Sequence, residues 1–413
     1  MKKAFRDIDL RLCNTCGSCV GVCPNNAISI IDELPRLTGA CNECGLCFEV
    51  CPGIEFPYPA MNRELFNDSN VDYEIGSYRA IHFARARNKQ ISEKASSGGV
   101  VTSLLSYLFD SGEIKAAVVV GQDKTRPWMP RANIALSKEE IFASAQSKYS
   151  MIPLNMLLAD LTQYEGEVAY VGLPCHIHGL RKAQKAGHRG ANKIKYCIGI
   201  FCGFNMSFKA TEFLIKKSKI AKENIKSLEY RGGPWPGGFM IKSKDKKEYF
   251  LEKHSYNYLN SLFTPKRCLV CPDLTSEFAD LSVGDAWHIT GYSTVLTRSE
   301  KGERMMKMAL ACGIFDIKEG KSSDVKRGHG HLIAYKKHGL FLRMKLLNLH
   351  PQFQLCQTVK PKIKTNIFNF LFLLTFLISR SRIVFLLLKN IPPNLPGALA
   401  KIIRSKAQKS FSH

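Results

Sequence analysis

Two cysteine runs near the amino terminus constrain this chain more than any other feature of its sequence. Each run has the spacing C-x2-C-x2-C-x3-C-P, and the runs extend from Cys13 to Pro24 and from Cys41 to Pro52. In such a run, three closely spaced thiolates hold three corners of a 4Fe-4S cubane, while the fourth cysteine binds a second cluster. We therefore predict two interleaved ligand sets. Cluster one would take Cys13, Cys16, Cys19 and Cys51, and cluster two would take Cys41, Cys44, Cys47 and Cys23.

This spacing, which is that of bacterial ferredoxins, fits two clusters better than paired zinc sites or a disulfide framework. Zinc takes four ligands, usually as two pairs, so the third cysteine of each run and the trailing Cys-Pro would have no role. Disulfides are typical of small secreted domains, whereas Arg6, Asp7 and Asp9 lie where a signal peptide would be apolar. Gly17 and Gly45 permit the tight turn of each run. Residues 1–60 are therefore predicted to form a dicluster ferredoxin-like domain that carries single electrons.

Length and cysteine content bound the rest of the chain. The 413 residues leave about 300 after the cysteine runs, enough for one large domain or two ordinary ones. The fifteen cysteines are an odd number without an export signal, which indicates a reducing compartment where thiols bind metals. We expect a cytoplasmic protein.

The positive charge is concentrated near the C-terminus. The formal net charge is +24, and sixteen Lys and Arg but no Asp or Glu follow Asp324. The apolar runs 367–378 and 383–388, separated by Arg380 and Arg382, are too short to cross a bilayer. Nucleic acid is not expected as a partner, because no binding module is recognisable and the charges alternate with aliphatic blocks.

For residues 361–413 we predict a helical, basic and hydrophobic tail. One interpretation is peripheral contact with the inner face of the membrane, with apolar side chains at the headgroup boundary and lysines and arginines facing anionic lipid. The alternative is a helical pair docked on the protein's own core. The cations concerned are Lys362, Lys364, Lys389, Lys401, Arg404, Lys406 and Lys409.

The middle of the chain has a mixed α/β pattern. Short apolar strand-like runs alternate with helix-like runs, which favours a largely buried sheet with helices packed against it. Residues 53–76 would be a linker or loops packed on this body. The predicted strands are 78–84, 116–120, 168–172, 195–201 and 280–283. The predicted helices are 100–109, 138–145, 154–164, 208–217 and 303–312.

A glycine-rich turn, Ser96-Ser97-Gly98-Gly99, leads into the first of these helices. Exposed backbone amides and a helix N-terminus together form a ready site for a phosphate or pyrophosphate. The alternative is that Ser97 only caps the helix.

Cys175 follows a predicted strand, at a position where α/β sheets usually bind ligands, so it is a candidate metal ligand or nucleophile. A catalytic pair with His176 is disfavoured, because adjacent residues seldom present their side chains to each other.

A further group of cysteines predicts a four-thiolate site. The hairpin Cys268-x2-Cys271-Pro272, together with Cys175 and Cys202 at strand ends, would complete the ligands of a third cluster. The alternative is that some of these are ordinary buried thiols, which is our interpretation of Cys197, Cys312 and Cys356.

Several motifs in order resemble one known family. They are Ser96-Ser97-Gly98-Gly99-x2-Thr102, Gln146-Ser147-Lys148-Tyr149, Gly172-Leu173-Pro174-Cys175, Tyr230-Arg231-Gly232, Trp235-Pro236-Gly237, Arg267-Cys268-x2-Cys271-Pro272-Asp273, Val283-Gly284-Asp285-Ala286-Trp287 and Gly291-Tyr292-Ser293-Thr294. Together they resemble the beta subunit family of coenzyme F420 hydrogenase/dehydrogenase, which also includes a plant chlorophyll reductase. The resemblance implies an α/β domain over residues 77–350 that binds FAD and a third 4Fe-4S cluster.

The resemblance also implies site residues. Asp285 would lie near the flavin without an assigned role, its alternative being a buried carboxylate that accepts backbone amides. Ser97, Gly98, Gly99 and Thr102 would contact FAD, Ser147, Lys148 and Tyr149 would line the flavin pocket, and Cys175, Cys202, Cys268 and Cys271 would hold the third cluster. No catalytic residue is assigned.

The implied function is that of an iron-sulfur flavoprotein oxidoreductase. A flavin accepts a hydride as two electrons and releases them singly, whereas a cubane carries one electron at a time. Electrons would pass between the clusters and FAD, with hydride transfer to or from an organic substrate or a deazaflavin or nicotinamide coenzyme, in cell-surface polysaccharide biosynthesis. The alternative is an electron-transfer subunit of a larger redox complex. A ferredoxin-like protein is the expected electron donor or acceptor.

Overall fold

The computed structural model describes residues 3–67, 71–355 and 361–381, and beyond them 383–384, 386–387, 391 and 395–397. Cys356, for which the sequence predicts a buried thiol, lies outside these residues. So do five of the tail cations predicted to face lipid, which are Lys389, Lys401, Arg404, Lys406 and Lys409.

Strands and helices alternate along most of the described chain. The strands are β1 (Ile28–Ile31), β2 (Leu34–Leu37), β3 (Glu55–Pro57), β4 (Ala80–Ala86), β5 (Ala116–Gln122), β6 (Pro130–Ala135), β7 (Val168–Gly172), β8 (Ile194–Ile200), β9 (Ile225–Gly232), β10 (Gly238–Ser243), β11 (Glu248–Glu252), β12 (Leu281–Asp285), β13 (Ser293–Thr297), β14 (Phe315–Glu319) and β15 (Gln352–Gln354). The α-helices are α1 (Ser18–Gly21), α2 (Leu46–Glu49), α3 (Tyr58–Phe66), α4 (Lys89–Lys94), α5 (Val100–Asp110), α6 (Lys138–Ala143), α7 (Pro174–Lys185), α8 (Arg189–Asn192), α9 (Lys209–Ser218), α10 (Lys253–Tyr256), α11 (Leu259–Phe263), α12 (Lys266–Leu269), α13 (Glu300–Ala311), α14 (Ser322–Ile333), α15 (Leu340–Leu347) and α16 (Ile363–Ser379). A π-helical turn, Ala334–His338, connects α14 to α15.

Eight of the described strands form one mixed sheet, in the order β14-β4-β13-β12-β8-β7-β5-β6. The central strands β12, β8, β7 and β5 run parallel, whereas the outer strands pair antiparallel with their neighbours. Helix α7 covers one face of this sheet, and α5 and α13 cover the other. The mixed α/β body predicted from the sequence is confirmed.

The parallel centre of the sheet determines where a site can form. Strand β7 ends at Gly172 just before Cys175, and β8 ends at Ile200 just before Cys202. Because parallel strands end at the same edge, the loops after β7 and β8 meet there. Both strands are buried on both faces, which explains their nearly continuous apolar sequences.

The helix predicted over residues 154–164 is wrong in type, because this segment forms two 3₁₀ turns, Leu154–Leu158 and Asp160–Gln163. Asn155 at its start is fully buried and binds the ferredoxin-like region, with its backbone N–H donating to the carbonyl of Cys16 at 2.9 Å. Its side chain donates to Ser18 Oγ at 2.8 Å. Tertiary contacts have therefore replaced local helical geometry.

A smaller antiparallel sheet, β11-β10-β9, packs with α9, α10 and α11 around its own apolar core. The sequence analysis did not predict these strands. The sheet contributes Arg231 from β9 to the site described below, and α10 contributes Lys253.

The ferredoxin-like region is packed tightly against the body. Lys182 of α7 donates to the carbonyl of Cys51 at 3.1 Å, and Arg267 donates to the carbonyl of Pro52 at 3.1 Å. The carboxylate of Glu33 accepts the backbone N–H of Phe208 at 2.7 Å, near the start of α9. After this region, β3 pairs with β15 and α3 is largely packed on the body, so residues 53–67 form packed structure and not a free linker.

The described part of the tail begins with α16, which docks on the body. Its inward face buries Thr365, Asn369, Leu373 and Phe376, in agreement with the alternative of a docked helix. Its outward face leaves large apolar side chains exposed, namely Ile363, Ile367, Phe370, Leu371, Leu377 and Ile378. None of the helices within the described ranges combines the length and the apolar character that a bilayer crossing requires.

Candidate functional site

The structure brings together the thiols of the interleaved sets predicted for clusters one and two. Cys13 has Cys16 and Cys51 as neighbours, and burial together with their negative charge raises the pKa of Cys13 to about 12. Burial likewise raises the pKa of Cys47 to about 11, and the thiolates nearest to Cys47 are those of Cys44, Cys41 and Cys23. The fourth cysteine of each run is therefore among the neighbours of the other run.

The backbone around the two sets repeats with the same geometry. Gly17 and Gly45 precede α1 and α2 with φ values of 85° and 83°. Backbone N–H groups point to ligand sulfurs, from Thr15 to Cys13 at 3.3 Å and from Glu43 to Cys41 at 3.4 Å. Such amides stabilise negative charge on a cluster and its sulfurs.

The third predicted set also meets at one place. Burial raises the pKa of Cys175 well above its usual value. Negative charge on the neighbouring thiols acts in the same direction, and these are Cys16, Cys202, Cys268 and Cys271. Burial also raises the pKa of Cys202 to about 12, again with Cys268 and Cys271 as neighbours.

Two residues near this set have other roles. Cys197 is buried within β8, where its backbone N–H donates to Asp280 Oδ2 at 2.8 Å, so Cys202 is the cysteine of this segment that joins the third set. His176 uses its two ring nitrogens on the backbone, Nδ1 with Leu173 N at 3.2 Å and Nε2 with Ile152 O at 2.9 Å. Burial lowers the pKa of His176 to about 4. A Cys175–His176 catalytic pair is thus not formed.

The described side chains do not have the arrangement of a single-ion site. Within the described residues, no three His, Cys, Asp or Glu side chains converge as the ligands of one metal ion would. Burial first, and neighbouring thiolates after it, raise the pKa values of Cys13, Cys47 and Cys175, so a positively charged group is needed to hold these sulfurs as thiolates. A cubane meets both conditions, because its irons supply the charge and it binds one thiolate at each corner.

A cavity of about 660 Å³ lies beside the third set, at the carboxyl ends of β7 and β8. This volume is within the range of ligand and cofactor pockets. Cys202 lines the cavity, as do Ser97, Gly99 and Thr102 from the predicted phosphate-binding turn and the segment Ser147, Lys148 and Tyr149. The structure thus brings together six of the seven predicted FAD contacts.

Gly98 is the predicted contact that the structure does not place on the cavity wall. Its backbone N–H donates to Ser293 Oγ at 2.9 Å, and a Cβ at Gly98 would come within 2.6 Å of Ser293 N. Gly98 therefore permits the turn to pack on the sheet. Ser97 is not the N-cap of α5 either, because Gly99 occupies that position with φ of 72° and the Ser97 hydroxyl bonds to Ser293 Oγ at 2.7 Å.

Lys148 is a half-buried lysine on the cavity wall. Its ammonium donates to the carbonyls of Ser144 and Ala145 at 2.6 and 2.7 Å. Burial, reinforced by the positive charge of Lys94, lowers the pKa of Lys148 to about 7. The side chain is thus able to change its charge near neutral pH and to respond to an anionic ligand.

Arg231 and Lys253 form a cationic group that the sequence analysis did not assign. Arg231 donates to Tyr149 Oη at 3.2 Å, to Asp285 Oδ2 at 3.1 Å and to the carbonyl of Ser96 at 2.7 Å. The Lys253 ammonium lies 3.5 Å from Asp285 Oδ2. Burial raises the pKa of Asp285, but Lys253 and Arg231 outweigh it and hold that pKa below its usual value.

Asp285 therefore lies at the cavity as expected, yet its partners are cationic side chains and not the backbone amides of the alternative. With two cations for one carboxylate, this part of the wall carries net positive charge. The signal in the sequence was the motif Tyr230-Arg231-Gly232, although nothing in it indicated where the guanidinium points.

The thiol sets follow one another toward the cavity. The negative charge of Cys47, in cluster two, contributes to the raised pKa of Cys19, in cluster one. The negative charge of Cys16, in cluster one, likewise contributes to the raised pKa of Cys175, in the third set. Cys202 of the third set borders the cavity. The order is thus cluster two, cluster one, third set, cavity.

Comparisons with known proteins identify the class and family of the chain. The 4Fe-4S binding domain matches residues 7–29, which together with the thiol sets defines an iron-sulfur oxidoreductase. The family described as "Coenzyme F420 hydrogenase/dehydrogenase, beta subunit" matches in two parts, its N-terminal part over residues 81–159 and its C-terminal part over residues 165–323. The chain belongs to the coenzyme F420 hydrogenase/dehydrogenase beta subunit family.

Similar curated proteins include coenzyme F420 hydrogenase subunit beta of Methanothermobacter thermautotrophicus, 32% identical over 62% of this chain and 90% of the relative. The coenzyme F420-dependent sulfite reductase of Methanocaldococcus jannaschii is 31% identical over 76% of this chain, which spans about half of that relative, 47%. One subunit of the F(420)H(2) dehydrogenase of Methanosarcina mazei is 26% identical over 72% of this chain and 82% of the relative.

A chain of the F420-reducing [NiFe] hydrogenase complex from Methanosarcina barkeri is similar in structure. The TM-score is 0.54 at 24% identity, over 68% of this chain and 94% of the other. This likeness shows a shared fold.

Proposed function

We propose that this protein is an electron-transfer subunit of a larger redox complex, passing single electrons between a protein partner and FAD in the cavity. The observation that carries the proposal is the order of the thiol sets, in which neighbouring sets act on each other's charge, from the amino-terminal region to Cys202 on the cavity wall. Two of the similar proteins are named as subunits, which supports a subunit over a self-contained reductase.

The cavity wall has the chemistry that FAD needs. The N-terminus of α5, with Ser97, Gly99 and Thr102, offers backbone and hydroxyl donors suited to a pyrophosphate. Arg231 and Lys253 supply positive charge, and Tyr149 is held between them. When bound, FAD supplies the exchange between hydride chemistry and one-electron transfer.

The partner protein would approach near cluster two. Cys41 is the exposed member of the predicted ligands, whereas Cys16 and Cys47 are buried. Electron transfer between proteins requires a short path to the surface, and this is the set that offers one. A ferredoxin-like protein is the proposed donor or acceptor.

The hydride partner is a second part of the proposal. Coenzyme F420 is named for three of the similar proteins, so the deazaflavin is the first candidate, with nicotinamide as the comparison. A lipid-linked acceptor in cell-surface polysaccharide synthesis is the second candidate, and the exposed apolar face of α16 is the observation in its favour.

We also propose that the protein is cytoplasmic and that α16 places it against an anionic membrane surface. Ile367, Phe370 and Leu371 are exposed on the outward face of α16, and Lys362 and Lys364 are exposed at its start. No acidic residue after Asp324 opposes these charges. Apolar side chains flanked by lysine are what an anionic lipid surface binds.

Iron and flavin content test the proposal directly. The protein is purified anaerobically, and iron, sulfide and flavin are quantified, with about twelve irons and one FAD expected per chain. Cys41→Ser and Cys268→Ser should each lower the iron content by about one cluster of four. Cys312→Ser is the matched control, because Cys312 is exposed and lies outside the three sets, and it should leave the iron unchanged. Colourless protein that contains only zinc would refute the proposal.

Stepwise reduction distinguishes between the two possible directions of electron flow. Reduced F420, reduced nicotinamide and reduced ferredoxin are added in turn to the oxidised protein, and flavin and iron-sulfur absorbance are followed. Bleaching by reduced F420 supports a subunit that oxidises the deazaflavin for a partner. Reduction by ferredoxin alone would instead favour an enzyme that delivers hydride to an organic acceptor.

A further inference from the structure

Lys336 is a buried lysine whose ammonium group faces the third thiol set. It lies in the π-helical turn Ala334–His338, and only 2% of the residue is exposed. Lysine is almost never buried to this extent unless partners compensate for the loss of hydration. Single π-helical turns are rare and occur frequently at functional sites.

The partners of the ammonium group are a backbone carbonyl and a sulfur. Nζ of Lys336 donates to the carbonyl of Asp273 at 2.6 Å and lies 3.6 Å from Sγ of Cys271. The carboxylate of Asp273 is engaged elsewhere, because it accepts the backbone N–H groups of Ser276 and Glu277 at 2.8 and 3.0 Å. Within the described part of the chain, Lys336 forms no ion pair with a carboxylate.

The thiols and Lys336 respond to each other's charge. Burial alone lowers the pKa of Lys336, but the negative charges of Cys271 and Cys202 outweigh burial and raise it. Lys336 in turn lowers the pKa values of Cys202 and Cys268, although burial keeps both above the usual value. The side chain is therefore a cation beside the third set.

The next residue provides a natural comparison. Lys337 is buried in the same turn, but its ammonium is paired with the carboxylate of Glu277. That pair is formally neutral. In contrast, the positive charge of Lys336 faces the sulfur of Cys271.

Helix α16 closes this region from solvent. Asn369 donates to the carbonyl of Ala334 at 3.3 Å, and the rings of Tyr335 and Phe372 are in contact with centroids 5.0 Å apart. Gly339 permits the close approach, because a Cβ there would overlap the amide of Asn369. Charges act more strongly on one another where water is excluded.

We propose that Lys336 is a fixed buried cation that raises the reduction potential of the third cluster. The inference rests on the third cluster of the proposed function. Each electron that the cluster accepts makes it more negative, so a neighbouring positive charge stabilises the reduced form more than the oxidised form. Because Cys202 borders the cavity, Lys336 sets the potential at the place where the relay meets FAD.

Two variants of the full chain test this role, Lys336→Gln and Lys336→Arg. Both retain a donor for the carbonyl of Asp273, but only arginine retains the charge. Midpoint potentials are measured anaerobically by redox titration followed by EPR, and the wave of the third cluster is identified as the one that Cys268→Ser lacks. We expect Lys336→Gln to lower the midpoint potential of that wave by about 59 mV, which for one electron is a tenfold shift of the reduced-to-oxidised ratio toward the oxidised form. Lys336→Arg should stay close to the parent protein.

The double variant Glu277→Gln/Lys337→Gln is the matched control. It removes the ion pair between Lys337 of the same turn and Glu277, and it should leave the third wave in place. Equal potentials in Lys336→Gln and Lys336→Arg would overturn the proposal. Loss of the third wave in the glutamine variant alone would assign the charge to holding the cluster and not to setting its potential, and loss in both variants would assign Lys336 a packing role; either result overturns the proposal.

Iron content distinguishes this failure from that of the proposed function. About eight irons in the parent protein would remove the third cluster, and with it the relay to FAD. About twelve irons with an unmoved third wave would remove only the role of Lys336.

Discussion

His329 shows how a single residue on the cavity wall couples stability to pH. It lies near the end of α14, is buried, and its Nε2 is 3.2 Å from the carbonyl of Asp285. Burial lowers the pKa of His329 to about 4, with the positive charge of Lys253 and of any protonated His288 acting in the same direction and Asp285 opposing. The imidazole is therefore neutral when the protein is folded at neutral pH.

We predict that His329 makes the protein less stable as the pH falls. The unfolded chain binds a proton near pH 6.5, whereas the folded protein does so only near pH 4. Below pH 6.5 the unfolded state thus holds more protons, and stability falls by about 2 kcal/mol between pH 7 and pH 5. His329→Gln, which keeps a donor for the Asp285 carbonyl, should remove this part of the slope.

The measurement is the denaturant midpoint of the anaerobic protein at several pH values. His350→Gln is the control, because His350 is an exposed histidine outside the cavity. It should show the same slope as the parent protein. If His329→Gln also keeps the parental slope, the assignment of this pH dependence to His329 is wrong.

The roles of site residues were predictable from the sequence where they depend on spacing along the chain. They were much less predictable where they depend on burial. The ligand cysteines follow from their intervals along the chain. In contrast, Arg231 reaches the carbonyl of Ser96 across 135 positions of sequence, and Lys336 reaches Cys271 across 65. A lysine or arginine in isolation predicts a surface position, so these two cations became visible only through their tertiary partners.

At the scale of elements, the packing of α1 on α7 holds cluster one near the third set. The helices approach so closely that a Cβ at Gly179 would overlap Ser18 Oγ and come within 2.8 Å of Asn155 Nδ2. Both of these atoms belong to one buried hydrogen bond of 2.8 Å between the ferredoxin-like region and the body. Glycine is thus required at this contact.

Gly179→Ala should therefore weaken the attachment of the ferredoxin-like region. Overpacking of this kind costs about 1–3 kcal/mol of the free energy of unfolding. The matched control is Gly328→Ala in α14, where the nearest atom to a new Cβ is 3.9 Å away. Alanine there should leave stability unchanged or raise it by up to about 1 kcal/mol, because alanine favours a helix over glycine. Anaerobic denaturation of both variants decides the matter, and equal stabilities would contradict the prediction.

Elements were predictable where the local pattern and the tertiary position agree. The apolar run 168–172 coincides with β7, because a central parallel strand is buried on both faces. Strands β13 and β14 were missed, since they are defined by pairing with β4, which lies far away in the sequence, as for Ser293 and Ala84. The segment 154–164 has helical periodicity, but its buried contacts with α1 favour 3₁₀ turns.

At the scale of the whole molecule, the tail helix connects two proposals. The inward face of α16 covers the turn that carries Lys336, and its outward face is apolar and exposed. Arg380 at its end folds back onto the body, with Nε donating to the carbonyl of Ser261 at 3.3 Å. The helix is therefore anchored on one side and leaves an apolar face exposed on the other.

We predict that the double variant Ile367→Glu/Leu371→Glu loses affinity for anionic vesicles. These side chains are 56% and 54% exposed, so the substitutions leave the docked face intact while placing negative charge toward the lipid. Cosedimentation with vesicles of phosphatidylserine and phosphatidylcholine measures binding, and vesicles of phosphatidylcholine alone test the need for anionic charge. Binding should weaken at least about tenfold, because burial of two large apolar side chains is lost and two like charges are added.

The control is Leu37→Glu/Leu136→Glu, which changes two leucines of similar exposure, 50% and 56%, outside the tail. It adds the same charge to the protein, so a general loss of positive charge would weaken both variants equally. Weakening confined to the α16 variant assigns lipid contact to this helix. Equal binding by the parent protein and the α16 variant would instead leave this apolar face to a protein partner, in which case the redox complex and not the membrane covers the outward face of α16.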